Sequence, residues 1–167
     1  MKHRSLVIGT LFILSPLFAS AATPTLYFPL DEGSGTSSNP SVGSGQALIQ
    51  GGAGWVSGKS GTAVGFDGKS GEVVTLGENI LPQGTEGSIS LWVEANTLSN
   101  NNFFFSARSP SDDKVFWSLG TDYEGRLILR TRAGSGSSAQ KVDTSAIFDK
   151  STWYHIVLSA NALKYSV

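Results

Sequence analysis

Short segments of alternating apolar and polar residues recur along most of the chain at intervals of roughly ten residues, with Gly, Asn, Asp and Pro between them. The clearest is Ser88–Glu94, where Ile89, Leu91 and Val93 fall on one face of an extended strand. Trp92 makes the other face partly apolar, which predicts a central strand. The pattern predicts an all-β fold, either a sandwich or a barrel. Apolar residues on both faces of several strands favour the sandwich.

Turn residues divide the rest of the chain into further strands. Trp55–Leu76 is interpreted as a hairpin, in which an Asp67-Gly68 turn leads to a second strand at Glu72–Leu76. Thr36–Gly54 has few large apolar residues, which predicts a long surface loop with at most one short strand. The other predicted strands are Thr25–Leu30, Ala47–Gln50 within that loop, Phe103–Ala107, Val115–Leu119, Arg126–Arg132, Lys141–Phe148, Trp153–Ala160 and Leu163–Val167.

The N-terminus has the pattern of a secretory signal peptide. Lys2-His3-Arg4 is a basic start, Leu6–Phe18 is apolar, and Ala19-Ser20-Ala21 offers a small-x-small cleavage site. An apolar run of this length, interrupted by Pro16, is too short to span a bilayer of about 30 Å. We therefore predict a signal peptide over residues 1–21, one domain over residues 22–167, and export to the periplasm, cell surface or extracellular space.

Composition excludes several classes of function. Two of the twelve Lys and Arg residues lie in the predicted signal peptide. Residues 22–167 therefore carry ten Lys and Arg and thirteen Asp and Glu, which gives a formal charge of −3. The basic residues are scattered, which argues against a nucleic-acid partner. The chain has no cysteine, and an exported chain of this kind must be stabilised by a packed core without disulfides. A bound metal is a possible addition.

Five motifs in order resemble the laminin G-like, concanavalin A-like jelly-roll domains of bacterial exported proteins. They are the acidic Gly-x-Gly segment Tyr27–Gly35, the Gly-Lys-x-Gly-x-Ala-x-x-Phe-Asp-Gly run Gly58–Gly68, the strand Glu72–Leu76, the Ser-Ile-Ser-Leu-Trp-Val strand Ser88–Val93, and the Trp-Tyr-His-Ile-Val strand Trp153–Val157. The resemblance implies a jelly-roll β-sandwich of two antiparallel sheets. In the resembled family a Tyr-x-Val strand is followed by further strands. Tyr165-Ser166-Val167 matches the start of that strand, so we expect a domain that lacks its C-terminal strands.

Calcium is the first candidate ligand, because some domains of the resembled family hold a structural calcium. Asp31, Glu32 and Asp67 lie in Gly-bearing turns, and calcium prefers hard oxygen ligands on loops. The alternative is that these residues serve only turn formation, since Asp tolerates the backbone angles that turns require.

A glycan or a cell-surface protein is the second candidate partner. Tyr123 lies in a predicted turn, where an exposed ring could stack on a sugar. Arg126 and Arg130 share one face of their predicted strand, and that face is polar and basic. The alternative is that this face is simply solvated.

Catalysis is not expected. The β-glucanases of this fold class carry a Glu-x-Asp-x-x-Glu strand, which is absent here, and the sequence has no Gly-x-Ser-x-Gly elbow. His155 lies on a predicted strand, where a hydrogen-bonded structural histidine is the stronger interpretation. We expect an exported, non-catalytic binding module for carbohydrate or cell-surface recognition. The alternatives are a structural or adhesive domain of a larger extracellular protein and the remnant of a polysaccharide-active enzyme.

Overall fold

Antiparallel β-strands provide the regular structure of the described residues. The structure is a computed structural model, and it describes residues 23–77, 87–98, 102–109, 111–112, 115–133, 140–161 and 164–166. The strands are β1 (Ser37–Ser38), β2 (Ala47–Gln50), β3 (Gly54–Ser57), β4 (Thr62–Gly65), β5 (Val73–Thr75), β6 (Gly87–Glu94), β7 (Asn102–Arg108), β8 (Val115–Thr121), β9 (Arg126–Ala133), β10 (Gln140–Ile147), β11 (Trp153–Asn161) and β12 (Lys164–Ser166). The predicted all-β fold is confirmed.

Two sheets face each other across the main core. One has the strand order β10-β9-β8-β7 and the other the order β12-β11-β6, and neighbouring strands are antiparallel in both. The buried apolar side chains between them come from β8, β9 and β11 and from the segment after β10; they are Leu119, Leu127, Leu129, Phe148, Ile156 and Leu158. This arrangement is the predicted β-sandwich.

β9 lies inside the four-stranded sheet, between β8 and β10. Leu127 and Leu129 face the core, and Ile128 on the opposite face has no exposed surface. Arg126 and Arg130 share the face of Ile128 and stay partly exposed. The predicted basic face therefore exists, but an apolar residue is buried at its centre.

The β6–β11 pair forms the other side of the core. Leu91 and Val93 pack against the buried cluster, whereas Trp92 points to the outside and is 52% exposed. Within the described part of this sheet, β6 lies at an edge rather than in the centre. The predicted strand is confirmed. Its predicted central position is wrong for the described sheet, because β6 has one neighbouring strand there and Trp92 on its outer face is exposed.

The predicted hairpin between residues 55 and 76 is divided between two small sheets. β4 pairs with β3 across a turn closed by the Gly58 N–H donating to Gly61 O at 3.0 Å. β5 pairs with β2 instead of β4. The chain leaves β4 at Gly65, and the Glu72 carboxylate then accepts hydrogen bonds from loop backbone N–H groups, which holds residues 66–72 as a loop. The Asp67-Gly68 turn therefore does not join paired strands.

The N-terminal part of the described chain has little regular structure. The predicted strand Thr25–Leu30 is reduced to one antiparallel bridge between Tyr27 and Val42. Ala47–Gln50 is a strand with the predicted bounds, and β1 pairs with it. The predicted signal peptide lies outside the described residues. No helix in the described ranges has the length and apolar character needed to cross a membrane.

Candidate ligand-binding face

The first two predicted calcium ligands serve as acceptors for local hydrogen bonds. Asp31 Oδ1 accepts from the backbone N–H and the hydroxyl of Thr62. Glu32 Oε1 accepts from the backbone N–H of Asn39 at 2.9 Å. These bonds tie the N-terminal segment to the β3–β4 hairpin and to the start of the long loop.

The third predicted ligand, Asp67, lies in the loop between β4 and β5. Its carboxylate pairs with the Lys69 ammonium, which holds the pKa of Asp67 below its usual value and raises the pKa of Lys69. A metal ion at Asp67 would have to displace this ammonium.

No group of three or more His, Cys, Asp or Glu suited to a metal ion occurs in the part of the chain that the structure describes. Because calcium takes six to eight oxygen ligands, Asp31, Glu32 and Asp67 do not form such a site on their own in this arrangement. Calcium binding by them stays a prediction, and a melting temperature that is the same with calcium and with a chelator would contradict it.

The turn between β8 and β9 holds two of the predicted ligand-binding residues. Tyr123 projects from it and is 63% exposed. Arg126 Nε donates to Asp122 Oδ2 at 2.8 Å, and Arg126 Nη2 contacts Glu124 Oε2 at 2.7 Å. Asp122 Oδ1 also accepts from the backbone N–H groups of Glu124 and Arg126, each at 2.9 Å. The Arg126 charge is thus already neutralised by two carboxylates.

Asp122 is only 3% exposed. Burial raises the pKa of its carboxyl group, but the hydrogen bonds from the Arg126 side chain and from the Arg126 and Glu124 backbone outweigh burial and lower the pKa overall. The same hydrogen bond to Asp122 raises the pKa of Arg126. The turn is a fixed structure that presents the Tyr123 ring.

Arg130, the third predicted residue, lies in a different environment. Its guanidinium Cζ is 5.8 Å from the ring centroid of Phe103, which is 52% exposed. Arg130 Nη1 is buried and has no hydrogen-bond partner among the described residues. The cross-strand neighbours of Arg130 are Ser118 on β8 and Lys141 on β10.

The strand registers place further basic and aromatic residues beside Arg130. Arg132 is opposite Phe116, which is opposite Arg108 on β7. Arg108 Cζ lies 5.4 Å from the Phe116 ring centroid. We define the basic face as the outer face of the four-stranded sheet, comprising Phe103, Arg108, Phe116, Ser118, Arg126, Ile128, Arg130, Arg132, Lys141 and Asp143.

The basic face has a shielded centre and an exposed periphery. Ser118 and Ile128 are buried although they point away from the main core, whereas Phe103, Arg108 and Lys141 are exposed. Asp143 is the acidic residue among those that define the face, and Lys141 Nζ contacts its Oδ1 at 3.0 Å. Positive charge therefore predominates on it.

Two aromatic residues that the structure exposes, Trp92 and Phe103, are not among the predicted ligand-binding residues. The sequence predicts Phe103 only as a strand residue, and it predicts Trp92 only as the apolar residue on the second face of a central strand. Strict alternation with Ile89, Leu91 and Val93 already placed Trp92 on the opposite side of β6, which could have indicated its exposure. His155 agrees with its predicted role, since its Nε2 lies 2.7 Å from the Ser90 hydroxyl.

Residues 66–166 match the laminin G-like family model described as the concanavalin A-like lectin/glucanases superfamily. The chain belongs to this superfamily. The matched segment contains the whole sandwich, including the basic face. A comparison with curated proteins finds no match.

A solved structure of an S-layer domain-containing protein (residues 221–444) from Clostridium thermocellum ATCC 27405 is similar to this concanavalin A-like chain. The TM-score is 0.65 at 18% sequence identity, and the alignment covers 78% of this chain. The chain spans 61% of the length of that solved chain. At this identity the likeness concerns the fold.

Proposed function

We propose that this chain is an exported, non-catalytic binding module that recognises acidic carbohydrate at a cell surface through the basic face. The observation that carries the proposal is the Arg130 guanidinium, whose buried Nη1 has no hydrogen-bond partner within the described residues and which lies beside the exposed Phe103 ring. Arg130 is one of the residues that the sequence predicted for ligand binding.

A buried donor without a partner is costly. Leaving a polar group unsatisfied in the interior costs about 1–3 kcal/mol, and more for a charged group. Native proteins rarely keep such groups without a reason. Arg130 as a whole stays partly exposed, so a ligand carboxylate or sulfate can reach its guanidinium, whose planar shape suits two-point contacts with these anions.

The neighbours of Arg130 extend this recognition over several strands. Arg108 and Arg132 add positive charge on the same face, and Lys141, which pairs with Asp143, lies beside them. Basic residues spread over adjacent strands match the repeated negative charge of an acidic polysaccharide better than a single small anion. Phe103 and Phe116 offer apolar surface against which sugar C–H groups can pack.

Membership of the superfamily supports a binding role, because its description includes lectins. The description also includes glucanases, so the absence of catalysis is part of the proposal. A retaining glycosidase needs two carboxyl groups about 5–5.5 Å apart, and Asp143 is the acidic residue among those that define the basic face. The similarity in fold to an S-layer domain-containing protein and the predicted signal peptide support export and a cell-surface location.

A glycan array followed by calorimetric titration tests the proposal. We expect binding to acidic glycans that weakens as salt concentration rises, because exposed charges are screened. Arg130→Gln should reduce affinity about tenfold, the size of one lost charge-assisted hydrogen bond. Lys150→Gln removes the same charge from an exposed turn away from this face and should leave affinity unchanged.

Failure of every acidic glycan to bind would reject the proposal and favour the structural or adhesive alternative. Equal affinity of Arg130→Gln and wild type would show that the basic face is not the site. Release of reducing ends from a bound polysaccharide would overturn the non-catalytic assignment.

A further inference from the structure

A second group of polar and aromatic side chains lies on the opposite side of the sandwich, on the outer face of β6 and β11. Trp92 and His155 are cross-strand partners, and their rings stack with centroids 4.9 Å apart at 25°. The Ser90 hydroxyl lies 2.7 Å from His155 Nε2 and fixes the imidazole from the neighbouring position on β6. The indole is thus held in place while about half of it remains in solvent.

Lys59 completes the group from another part of the fold. It lies in the turn between β3 and β4, and its Nζ is 5.6 Å from the Trp92 ring centroid. An exposed cation–π contact of this kind stabilises by about 0.5–1 kcal/mol. Lys59 is exposed and has no ion-pair partner in the described part of the chain. Its ammonium can therefore turn from the ring to an incoming anion at low cost.

Polar groups continue along the same face of the sheet. The Ser88 and Ser159 hydroxyls lie 2.9 Å apart. Ser88 is two residues from Ser90 on β6, and Ser159 is two residues from Val157 on β11, so both share this outer face. Val157, between His155 and Ser159, is also exposed. A fixed aromatic ring, nearby hydroxyl groups and a mobile ammonium are the groups that a sugar ring with an acidic substituent requires.

We propose that Trp92, His155, Ser90 and Lys59 form a second carbohydrate subsite that binds a pyranose carrying a carboxylate. The apolar face of the sugar stacks on the exposed part of the indole. Lys59 Nζ leaves the ring and pairs with the carboxylate, while the serine hydroxyls contact sugar hydroxyls. The subsite is on the other sheet from Arg130, so it is independent of the basic face.

Calorimetric titration of the full chain with a short oligogalacturonate, and with the same oligomer after reduction of its carboxyl groups, tests this subsite. The Arg130→Gln variant is the starting protein, so that failure of the basic face and failure of this subsite are distinguishable. In that background we expect the oligogalacturonate to bind. Trp92→Ala should lower the affinity about tenfold, and Lys59→Gln should lower it about fivefold.

Tyr27→Ala is the matched control, because it removes an exposed ring that lies outside both sheets of the sandwich; affinity should not change. Trp92→Phe should keep part of the affinity, and thermal melting of each variant checks that folding is intact. Three results would overturn the subsite: no binding of the uronate in the Arg130→Gln protein, equal affinity for the carboxyl-reduced oligomer, or an affinity that Trp92→Ala and Lys59→Gln leave unaltered.

Discussion

The sandwich and the N-terminal region, residues 23–77, are held together by different interactions. Strands of the sandwich such as β8, β9 and β11 run for seven to nine residues and bury a shared apolar cluster. β1, β2 and β5 have two to four residues. The longer strands contribute to a shared buried apolar cluster, and burial of apolar surface is the dominant favourable term in folding.

In the N-terminal region, Ala47 and Ile49 on β2 are buried, and side chains that hydrogen-bond to backbone groups add to this small apolar patch. Asp31 accepts hydrogen bonds from Thr62, and Trp55 Nε1 donates to Gly35 O at 2.8 Å. Glu72 Oε2 accepts from the backbone N–H groups of residues 67, 68 and 69 at 2.8–3.1 Å. One domain thus combines long strands specified by apolar periodicity with a region in which individual polar contacts and glycines supplement a small buried patch.

The largest expected effect is a cavity in the sandwich. Leu119 is 1% exposed and belongs to the main cluster, so Leu119→Ala should cost about 2–5 kcal/mol of unfolding free energy. Chemical denaturation followed by tryptophan fluorescence measures this loss. Leu48→Ala removes the same atoms from an exposed position of β2 and should cost less than about 1 kcal/mol. Equal losses would contradict the idea that the core lies in the sandwich.

A smaller loss of unfolding free energy is expected when one methyl group is added in the N-terminal region. Gly51 has φ +72°, and a Cβ there would lie 2.0 Å from Gly71 O. Gly51→Ala must therefore separate the turn after β2 from the start of β5, at an expected cost of about 1–3 kcal/mol. Hydrogen exchange should show faster exchange at residues 47–75, with protection in β8 and β9 retained.

Gly35→Ala is the control for this change. Gly35 also has positive φ, at +81°, but a Cβ there meets nothing within 4 Å. Gly35→Ala should therefore lower the unfolding free energy by about 1 kcal/mol, because alanine fits the left-handed backbone conformation less well than glycine. If Gly51→Ala and Gly35→Ala had the same effect, close approach of the β2 turn to Gly71 would not stabilise this region.

The sequence predicts the sandwich better than the N-terminal region, for the same physical reason. The strands of the sandwich were found nearly to their bounds, because Ile89, Leu91 and Val93 alternate as a half-buried strand requires. The pairing of β4 with β3 was missed, since Gly58 and Gly61 set that turn and leave no periodic signal. Arg130 was found as a candidate because its strand alternates. Its proximity to Phe103 depends on the register of β7 and β8, including an irregularity between Phe103 and Phe105, which no local pattern encodes.

The smallest expected effect concerns the turn between β8 and β9, where the sandwich uses the same kind of contact as the N-terminal region. The native fold lowers the Asp122 pKa, while the unfolded value is about 3.9. The carboxylate therefore contributes stability above about pH 4, and that contribution is lost as the pH falls through the folded-state pKa. Asp122→Asn should lower the melting temperature at pH 7, and its difference from wild type should shrink below about pH 4.

Glu124→Gln sharpens this test, because it removes the more exposed of the two carboxylates that contact Arg126. Exposed ion pairs contribute little to stability, so this variant should melt close to wild type at every pH. A difference between Asp122→Asn and wild type that stays constant from pH 7 to pH 3 would show that the Asp122 charge does not stabilise the turn. In that case the β8–β9 turn would not depend on the Asp122 charge, in contrast to the polar contacts that hold the N-terminal region.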